Sequence, residues 1–142
     1  MEDVIVQRVI KEVELPLVWD MRHRIMYPQQ DPVEVRLPDD SDALHLGYYD
    51  GGRLMSVISL FERNDSLQFR KFATENEYQR RGYGSQLLAH VMEYARTRKV
   101  NNVWCNARLS ATAFYRKFGM TETGQPWTAH GIEFIKMEKK LN

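Results

Sequence analysis

Two glycines and two arginines stand at a point where a strand-like run of residues leads into a strong helix pattern. Arg80, Arg81, Gly82 and Gly84 separate that run from a helix predicted over residues 85–99. Backbone N–H groups in the first turn of a helix have no partner within the helix, and the helix dipole gives them partial positive charge. Because glycine lets a ligand approach the backbone, the pattern predicts a cradle for an anion, most simply a diphosphate.

Three interpretations of this loop compete. In the first, Gly82 and Gly84 only turn the chain and the arginines are solvated. A dinucleotide-binding loop would need a third glycine at the position of Leu87, and the Gly-Lys-Ser/Thr of a phosphate-binding loop is absent. The third interpretation is a pyrophosphate site of another kind, in which Gln79-x-x-Gly82-x-Gly84 opens a helix.

That third interpretation matches a known family. The segment Gln79-x-x-Gly82-x-Gly84 resembles the acetyl-CoA signature of the GNAT superfamily of N-acetyltransferases, Gln/Arg-x-x-Gly-x-Gly/Ala. Downstream, Tyr115-x-x-x-Gly119 follows Phe114 and resembles the end of the short helix that is the second hallmark of the superfamily. The resemblance covers most of the chain. It implies an α/β (α+β) fold with a bent mixed sheet of about six or seven strands, helices on both sides, and one acetyltransferase domain over residues 1–142.

The resemblance also implies an activity. The reaction would be transfer of an acetyl group from acetyl-CoA, the co-substrate, to a primary amine by direct attack in a ternary complex, without a metal. The amine would belong to a small molecule or a peptide, which the sequence does not identify. The alternative is a non-catalytic module of the same fold that senses acyl-CoA or binds a partner. Members of the superfamily often pair through edge strands, so a homodimer is a further expectation.

The resemblance assigns co-substrate contacts to three places. Strand residues would pair with the pantetheine arm, loop residues would hold the pyrophosphate through N–H groups and two arginines, and an asparagine would reach the pantetheine amide. In that order the residues are Phe72, Ala73 and Thr74; Gln79, Arg80, Arg81, Gly82, Tyr83, Gly84 and Ser85; and Asn106.

Tyr115 is the expected catalytic residue, because the resemblance gives it the role of protonating the departing thiolate. A phenol with a pKa of about 10 can donate a proton at neutral pH; the alternative is a tyrosine that only packs in the core.

The general base that would accept the proton of the amine remains open, since Gln68 stands where some members of the superfamily carry a glutamate. Glu62, His45 or a chain of water molecules are candidates, although His45 is also explained as a satisfied strand histidine. Arg70 shares a strand face with Gln68 and is either an anion-binding residue or a solvated one.

Composition excludes several other classes of protein. The chain has 142 residues, 43% of them apolar and 27% charged, which is typical of a globular domain. A net charge of +1 argues against a dedicated nucleic-acid binder. The single cysteine, Cys105, excludes an internal disulfide and is expected to be a buried apolar residue. Without a signal-peptide pattern, a membrane-length apolar run or clustered metal ligands, a cytoplasmic, metal-free, non-membrane protein is expected.

Local patterns divide the chain into strands and helices. Predicted strands cover residues 3–9, 43–49, 53–61, 67–74, 100–106, 120–124 and 132–139. Predicted helices cover residues 15–26, 85–99 and 111–118, the last capped by Ser110 and ended by Gly119. Asp50-Gly51-Gly52 predicts a hairpin turn, and the crossover after residue 74 predicts that the strands over 67–74 and 100–106 are parallel.

Other expectations concern exposure. The helix over 85–99 should bury one apolar face, formed by Leu87, Leu88, Val91, Met92 and Ala95. The helix over 15–26 should expose its basic run, formed by Arg22, His23 and Arg24. Strand alternation places Lys71 on a buried face, which a bulge would change. The loops over 27–41 and 122–131 are candidates for the walls of the acceptor site.

Overall fold

The computed structural model describes residues 7–141. Its strands are β1 (Arg8–Glu12), β2 (Leu44–Asp50), β3 (Arg53–Arg63), β4 (Ser66–Thr74), β5 (Asn102–Arg108), β6 (Thr121–Ala129) and β7 (Ile132–Lys140). Its α-helices are α1 (Leu15–Met21), α2 (Tyr83–Arg98) and α3 (Thr112–Arg116). The described strands hydrogen-bond in the order β1-β2-β3-β4-β5-β7-β6, with β4 and β5 parallel, which confirms the expected mixed sheet and the predicted crossover. In the described part of the chain, no helix is long and apolar enough to cross a membrane.

Contacts between residues group the chain into two compact units. The first contains the residues up to 60 together with 71–90, and the second contains 61–70 together with the residues from 91 onward. Strand β4 and helix α2 each contribute to both.

The first unit begins with antiparallel strands. The predicted hairpin between β2 and β3 is confirmed, because Gly51 and Gly52 have φ angles of +60° and +82°, which suit its turn. Strand β1 pairs with β2 and begins at Arg8, so it overlaps only the end of the predicted strand, whose residues 3–6 lie outside the described residues. A small core packs against this sheet, formed by Val13, Val18, Met21, Val57 and Ala73.

Helix α1 carries the main correction in this unit. Pro16 lies in its first turn, as predicted, and the helix continues as a π-helical turn over Arg22–Met26. The expectation that Arg22 is solvated is wrong, since its side chain is completely buried. The reason is a buried carboxylate, Asp40, with which its guanidinium pairs at 2.8 Å.

The second unit is built around β5 and the closing hairpin. Strand β7 pairs antiparallel with both β5 and β6. The predicted strand over 120–124 was too short, because pairing with β7 extends β6 to Ala129 and leaves only His130 and Gly131 as the turn. Most of the predicted loop over 122–131 is therefore strand.

Helices α2 and α3 follow the predictions with one exception. The five residues that were predicted to form the apolar face of α2 are all buried. Gly119 ends the segment after α3 with a φ of +85°, as predicted. Ser110 does not cap α3 and lies instead in a 3-10 turn over Leu109–Ala111. The hydroxyl of Thr112 donates to the carbonyl of Leu109 and ties this turn to the helix.

Candidate active site

The predicted anion-binding loop lies in the first unit between β4 and α2. After β4 the chain makes a 3-10 turn over Asn76–Tyr78, and Arg80 and Gly82 then adopt left-handed φ angles of +66° and +88°. The N–H of Gln86 donates to the carbonyl of Gly82 at 3.0 Å and closes the first turn of α2. The N–H groups of residues 82–85 therefore belong to the free N-terminus of a helix, which favours an anion.

Close packing fixes this helix end against the strand. A Cβ atom at Gly84 would lie 3.3 Å from Phe72 Cζ and 3.4 Å from Thr74 Oγ1, so only glycine fits without a shift. The side chain of Gln79 donates at 3.2 Å both to the carbonyl of Thr74 and to Asn76 Oδ1. The signature glutamine thus braces the base of the loop, and the signature glycine brings α2 onto β4.

Tyr83 anchors the first turn of α2 to the neighbouring strands. Its side chain is buried, its hydroxyl donates to Asp50 Oδ2 at 2.7 Å, and its ring meets that of Tyr48 edge to face at 5.2 Å. The hydroxyl of Tyr48 in turn donates to Gln86 Oε1 at 2.6 Å. Because its side chain is used in this way, Tyr83 can offer a ligand only its backbone N–H.

Basic side chains surround the loop. Arg80 and Arg81 are exposed, and the guanidinium of Arg81 lies 5.3 Å from the centroid of the Tyr78 ring. Arg53, from β3, lies 4.9 Å from the same ring and donates to the Tyr78 hydroxyl at 3.2 Å. Sequence patterns did not identify Arg53, because only the pairing of the hairpin brings it to this loop. The fold therefore adds a third arginine to the predicted pair.

Tyr115 lies in the second unit on α3. Its ring contacts those of Phe69, at 5.6 Å, and Phe114, at 5.3 Å between centroids. Burial raises the pKa of the Tyr115 phenol, while the charge of Arg108 opposes this effect. The phenol therefore stays protonated through the neutral range, which is the state that a proton donor needs.

Other predicted residues of the second unit lie on its strands. Asn106 is exposed on β5, opposite Lys136 of β7. Gln68 is half-buried on β4, in register with β5. The guanidinium of Arg70 lies 5.6 Å from the centroid of the Phe61 ring.

Neither of the two base candidates is well placed for that role. The carboxylate of Glu62 accepts two hydrogen bonds from Arg98, at 2.9 and 3.0 Å, and these lower its pKa, so that it is a weaker base. The ring of His45 is buried, with Nδ1 2.7 Å from Ser59 Oγ and Nε2 2.8 Å from the carbonyl of Asp40. Both nitrogens of His45 are engaged, which fits the satisfied strand histidine.

A buried ionic network joins α1 to the loop over 27–41. The two terminal nitrogens of Arg22 donate to the two carboxylate oxygens of Asp40 at 2.8 Å, and further hydrogen bonds reach the carbonyl of Val35 and the hydroxyl of Ser59. The indole of Trp19 also donates to Asp40, at 2.9 Å. The sequence did contain a signal that Arg22 is buried, because Arg22 follows Val18 and Trp19 at helical spacing on the buried face of the helix.

The charge of Asp40 is strongly stabilised. Burial by itself would raise its pKa, but hydrogen bonds from Arg22, from the N–H of Leu37 and from Trp19 outweigh this effect and lower the pKa of Asp40 to about 2. The network therefore holds the start of β2 and the preceding loop in one arrangement.

Among residues 7–141, no group of three or more His, Cys, Asp or Glu side chains is placed to hold a metal ion.

The fold and the motifs agree with comparisons to known proteins. Residues 19–141 match a family model described as an acetyltransferase (GNAT) domain. An uncharacterized N-acetyltransferase of Bacillus subtilis, YitI, is 30% identical over 142 residues, which covers 93% of this chain and 95% of that protein.

Solved structures agree as well. A putative N-acetyltransferase from Lactobacillus plantarum superimposes with a TM-score of 0.82 at 18% identity, over 96% of this chain and 99% of that one. A Bacillus subtilis acetyltransferase in complex with CoA superimposes with a TM-score of 0.74 at 15% identity, over 97% of this chain and all (100%) of that one. At these identities, the two structures establish the likeness of the fold.

Proposed function

The chain belongs to the GNAT family of acetyltransferases, and on that basis we propose that residues 1–142 form one domain that transfers an acetyl group from acetyl-CoA to a primary amine by direct attack. The observation that carries the proposal is the loop over residues 79–85. It joins a free helix N-terminus, a left-handed Gly82 and exposed arginines at the end of β4. These features suit a pyrophosphate.

In this proposal, residues of the first unit bind the CoA molecule. The N–H groups at the start of α2 would hold the pyrophosphate, with Arg80 and Arg81 adding charge-assisted hydrogen bonds. Residues 72–74 would pair with the pantetheine arm through their backbone, as an added strand does. When bound, acetyl-CoA supplies an acyl group activated as a thioester.

Tyr115 is the one side chain to which we assign a chemical step. The phenol of Tyr115, which burial keeps protonated at neutral pH, would donate a proton to the departing thiolate, a role taken from the family resemblance. The base that accepts the proton of the amine is not assigned to a side chain, because His45 and Glu62 are both engaged. The amine can instead lose its proton to water.

Calorimetric titration with acetyl-CoA tests the role of the loop. The wild type should bind with a Kd in the micromolar range, and the variant Arg81→Glu, Gly82→Glu should lose this binding because two carboxylates would face the pyrophosphate. The variant Arg96→Glu, Thr97→Glu makes the same change in net charge on exposed residues near the other end of α2 and should bind like the wild type. Equal affinities of the two variants would refute the assignment of the loop.

A screen of amines then tests turnover. Release of CoA in the presence of acetyl-CoA and a primary amine is the expected result, with the acetylated amine identified by mass spectrometry. Tight binding of acetyl-CoA without turnover on any amine would instead favour the non-catalytic module. None of the relatives described above supports that alternative.

A further inference from the structure

Lys71 occupies an unusual position in strand β4. Its φ angle is +54°, a left-handed conformation that is uncommon for a residue with a side chain and typical of a β-bulge. Strand alternation would put Lys71 on the same face of the sheet as Ala73. Ala73 is buried, whereas the side chain of Lys71 is only half-buried. The backbone at Lys71 therefore departs from regular strand geometry, and its side chain is less buried than strand alternation predicts.

The ammonium group of Lys71 meets a phenol. Its Nζ donates to the hydroxyl of Tyr27 at 2.7 Å and lies 4.5 Å from the centroid of the Tyr27 ring. Among residues 7–141, no carboxylate forms an ion pair with Lys71, whereas the buried Arg22 pairs with Asp40 in the same unit. A half-buried cation that faces a neutral group is left with an unneutralised charge, which a bound anion would stabilise.

The pair offers two donors to such an anion. The ammonium has three N–H donors and uses one on Tyr27, and the hydroxyl of Tyr27, which accepts that hydrogen bond, still has its own proton to donate. Two neighbouring donors, one of them charged, match the two oxygens of a carboxylate.

The position of Lys71 and Tyr27 along the chain indicates which bound molecule would carry this carboxylate. Lys71 directly precedes the segment 72–74, which we assign to the pantetheine arm, and Tyr27 opens the loop over 27–41. Strand β4 leads into the pyrophosphate loop. A pantetheine arm that starts at this loop and lies along residues 74, 73 and 72 would therefore bring its thioester end next to Lys71. This step rests on the proposed function.

We infer that Lys71 and Tyr27 bind a carboxylate of the acceptor, and that the acceptor is therefore a primary amine that also carries a carboxylate. The pair would set acceptor specificity without taking part in the chemical step. The other source of an anion is CoA itself, whose pyrophosphate is assigned to residues 79–85.

Matched acceptors test this inference. Glycine, 4-aminobutyrate and phenylalanine are each compared with the corresponding carboxamide, and kcat/KM is measured for wild type and Lys71→Met. Because the basicity of the amine differs within each pair, the informative quantity is the carboxylate-to-carboxamide ratio of kcat/KM. That ratio should fall about tenfold or more in Lys71→Met, through KM of the acid, since a charge-assisted hydrogen bond is lost. Tyr27→Phe should lower the ratio less.

Lys11→Met is the matched control, because Lys11 also lies over a tyrosine ring, that of Tyr49, at 4.7 Å. This exposed lysine should leave the ratio unchanged. A loss of kcat/KM by Lys71→Met that is equal for acids and amides would indicate a merely structural role and overturn the inference. A raised Kd for acetyl-CoA in Lys71→Met would overturn it too, since the anion would then belong to CoA.

A binding measurement covers the case in which none of these amines is acetylated. The N-acetyl derivatives of the three acids, and of their amides, are titrated calorimetrically into the wild type and Lys71→Met with and without CoA. Binding of at least one acid derivative, lost in Lys71→Met and absent for its amide, is expected. Equal binding by both proteins, or no binding of any acid derivative, would overturn the inference. Failure of the wild type to bind CoA would count against the proposed function alone.

Discussion

Replacing Asp40 by asparagine should be among the most damaging single changes to this protein. Asp40 is 2% exposed, and it accepts hydrogen bonds from Arg22, Trp19 and the N–H of Leu37. The asparagine side chain would occupy the same volume, so the change removes the charge without opening a cavity. What remains is the buried guanidinium of Arg22, whose Nε already lacks a hydrogen-bond partner among the described residues.

Two magnitudes follow from these contacts. Breaking a buried ion pair by removing one partner costs about 3–5 kcal/mol, a large part of the roughly 5–15 kcal/mol that stabilises a typical domain. At about 3 °C per kcal/mol for a chain of this size, Tm should fall by roughly 10–15 °C. The pKa of Asp40 is about 2 in the folded protein and 3.8 ordinarily, which corresponds to about 2 kcal/mol of pH-dependent stability.

The sign of the pH dependence follows from that lowered pKa. Between about pH 4 and pH 2 the unfolded chain binds a proton at Asp40 that the folded protein does not, so stability is lost as the pH falls through this range. Asp40→Asn lacks this contribution at every pH. The gap in unfolding free energy between wild type and variant should therefore narrow by about 2 kcal/mol between pH 5 and pH 2.

Urea unfolding at pH 7, 5, 4, 3 and 2 measures the gap. Asp42→Asn is the control, because Asp42 is exposed in the same 3-10 turn and its replacement changes the charge equally. The double variant Arg22→Met, Asp40→Asn should be less destabilised than the sum of its single variants, since it leaves no unpaired charge. The reasoning is refuted if Asp40→Asn costs no more than Asp42→Asn, or if the gap does not change with pH.

Three further outcomes are expected. Tyr115→Phe should lower kcat about 100-fold or more and leave the calorimetric Kd for acetyl-CoA unchanged, because it removes only the proton donor; an unchanged kcat would remove the assigned role. Gly47→Ala should cost about 1–3 kcal/mol in urea unfolding, because its Cβ would lie 2.4 Å from Val13 Cγ2 and 2.5 Å from Leu54 Cδ1, and an unchanged midpoint would contradict this. Cys105 should resist iodoacetamide until the protein is unfolded in urea, since it is buried and burial raises the pKa of its thiol to about 12; alkylation of the native protein at the unfolded rate would contradict it.

Local patterns predicted much of the fold. The apolar face of α2, the hairpin at Gly51 and Gly52, and the end of α3 at Gly119 depend on residues close together in the sequence, so short-range spacing was sufficient. Strand β6 was predicted too short, because its exposed residues carry no apolar alternation and it forms by pairing with β7.

The candidate site divides in the same way. The loop motif and the tyrosine motif could be identified from the chain alone, because a pyrophosphate site at a helix N-terminus needs a particular local order of residues. Arg53 joins that loop only through the register of β3, and the role of Gln79 as a brace needs the turn at Asn76. Sequence reasoning also kept His45 as a candidate base, since only the structure shows both of its nitrogens engaged.

By itself, the sequence determined the family, the order of most elements and the position of the loop, because these are encoded in short-range spacing of apolar residues, glycines and turn signals. The tertiary structure decided which charges are buried and where they point. Arg22 is buried because Asp40 reaches it from a later loop, and Lys71 is turned toward Tyr27 by a local left-handed backbone. Such pairs form between residues that are far apart in the chain. Local sequence patterns do not specify which distant residues come into contact.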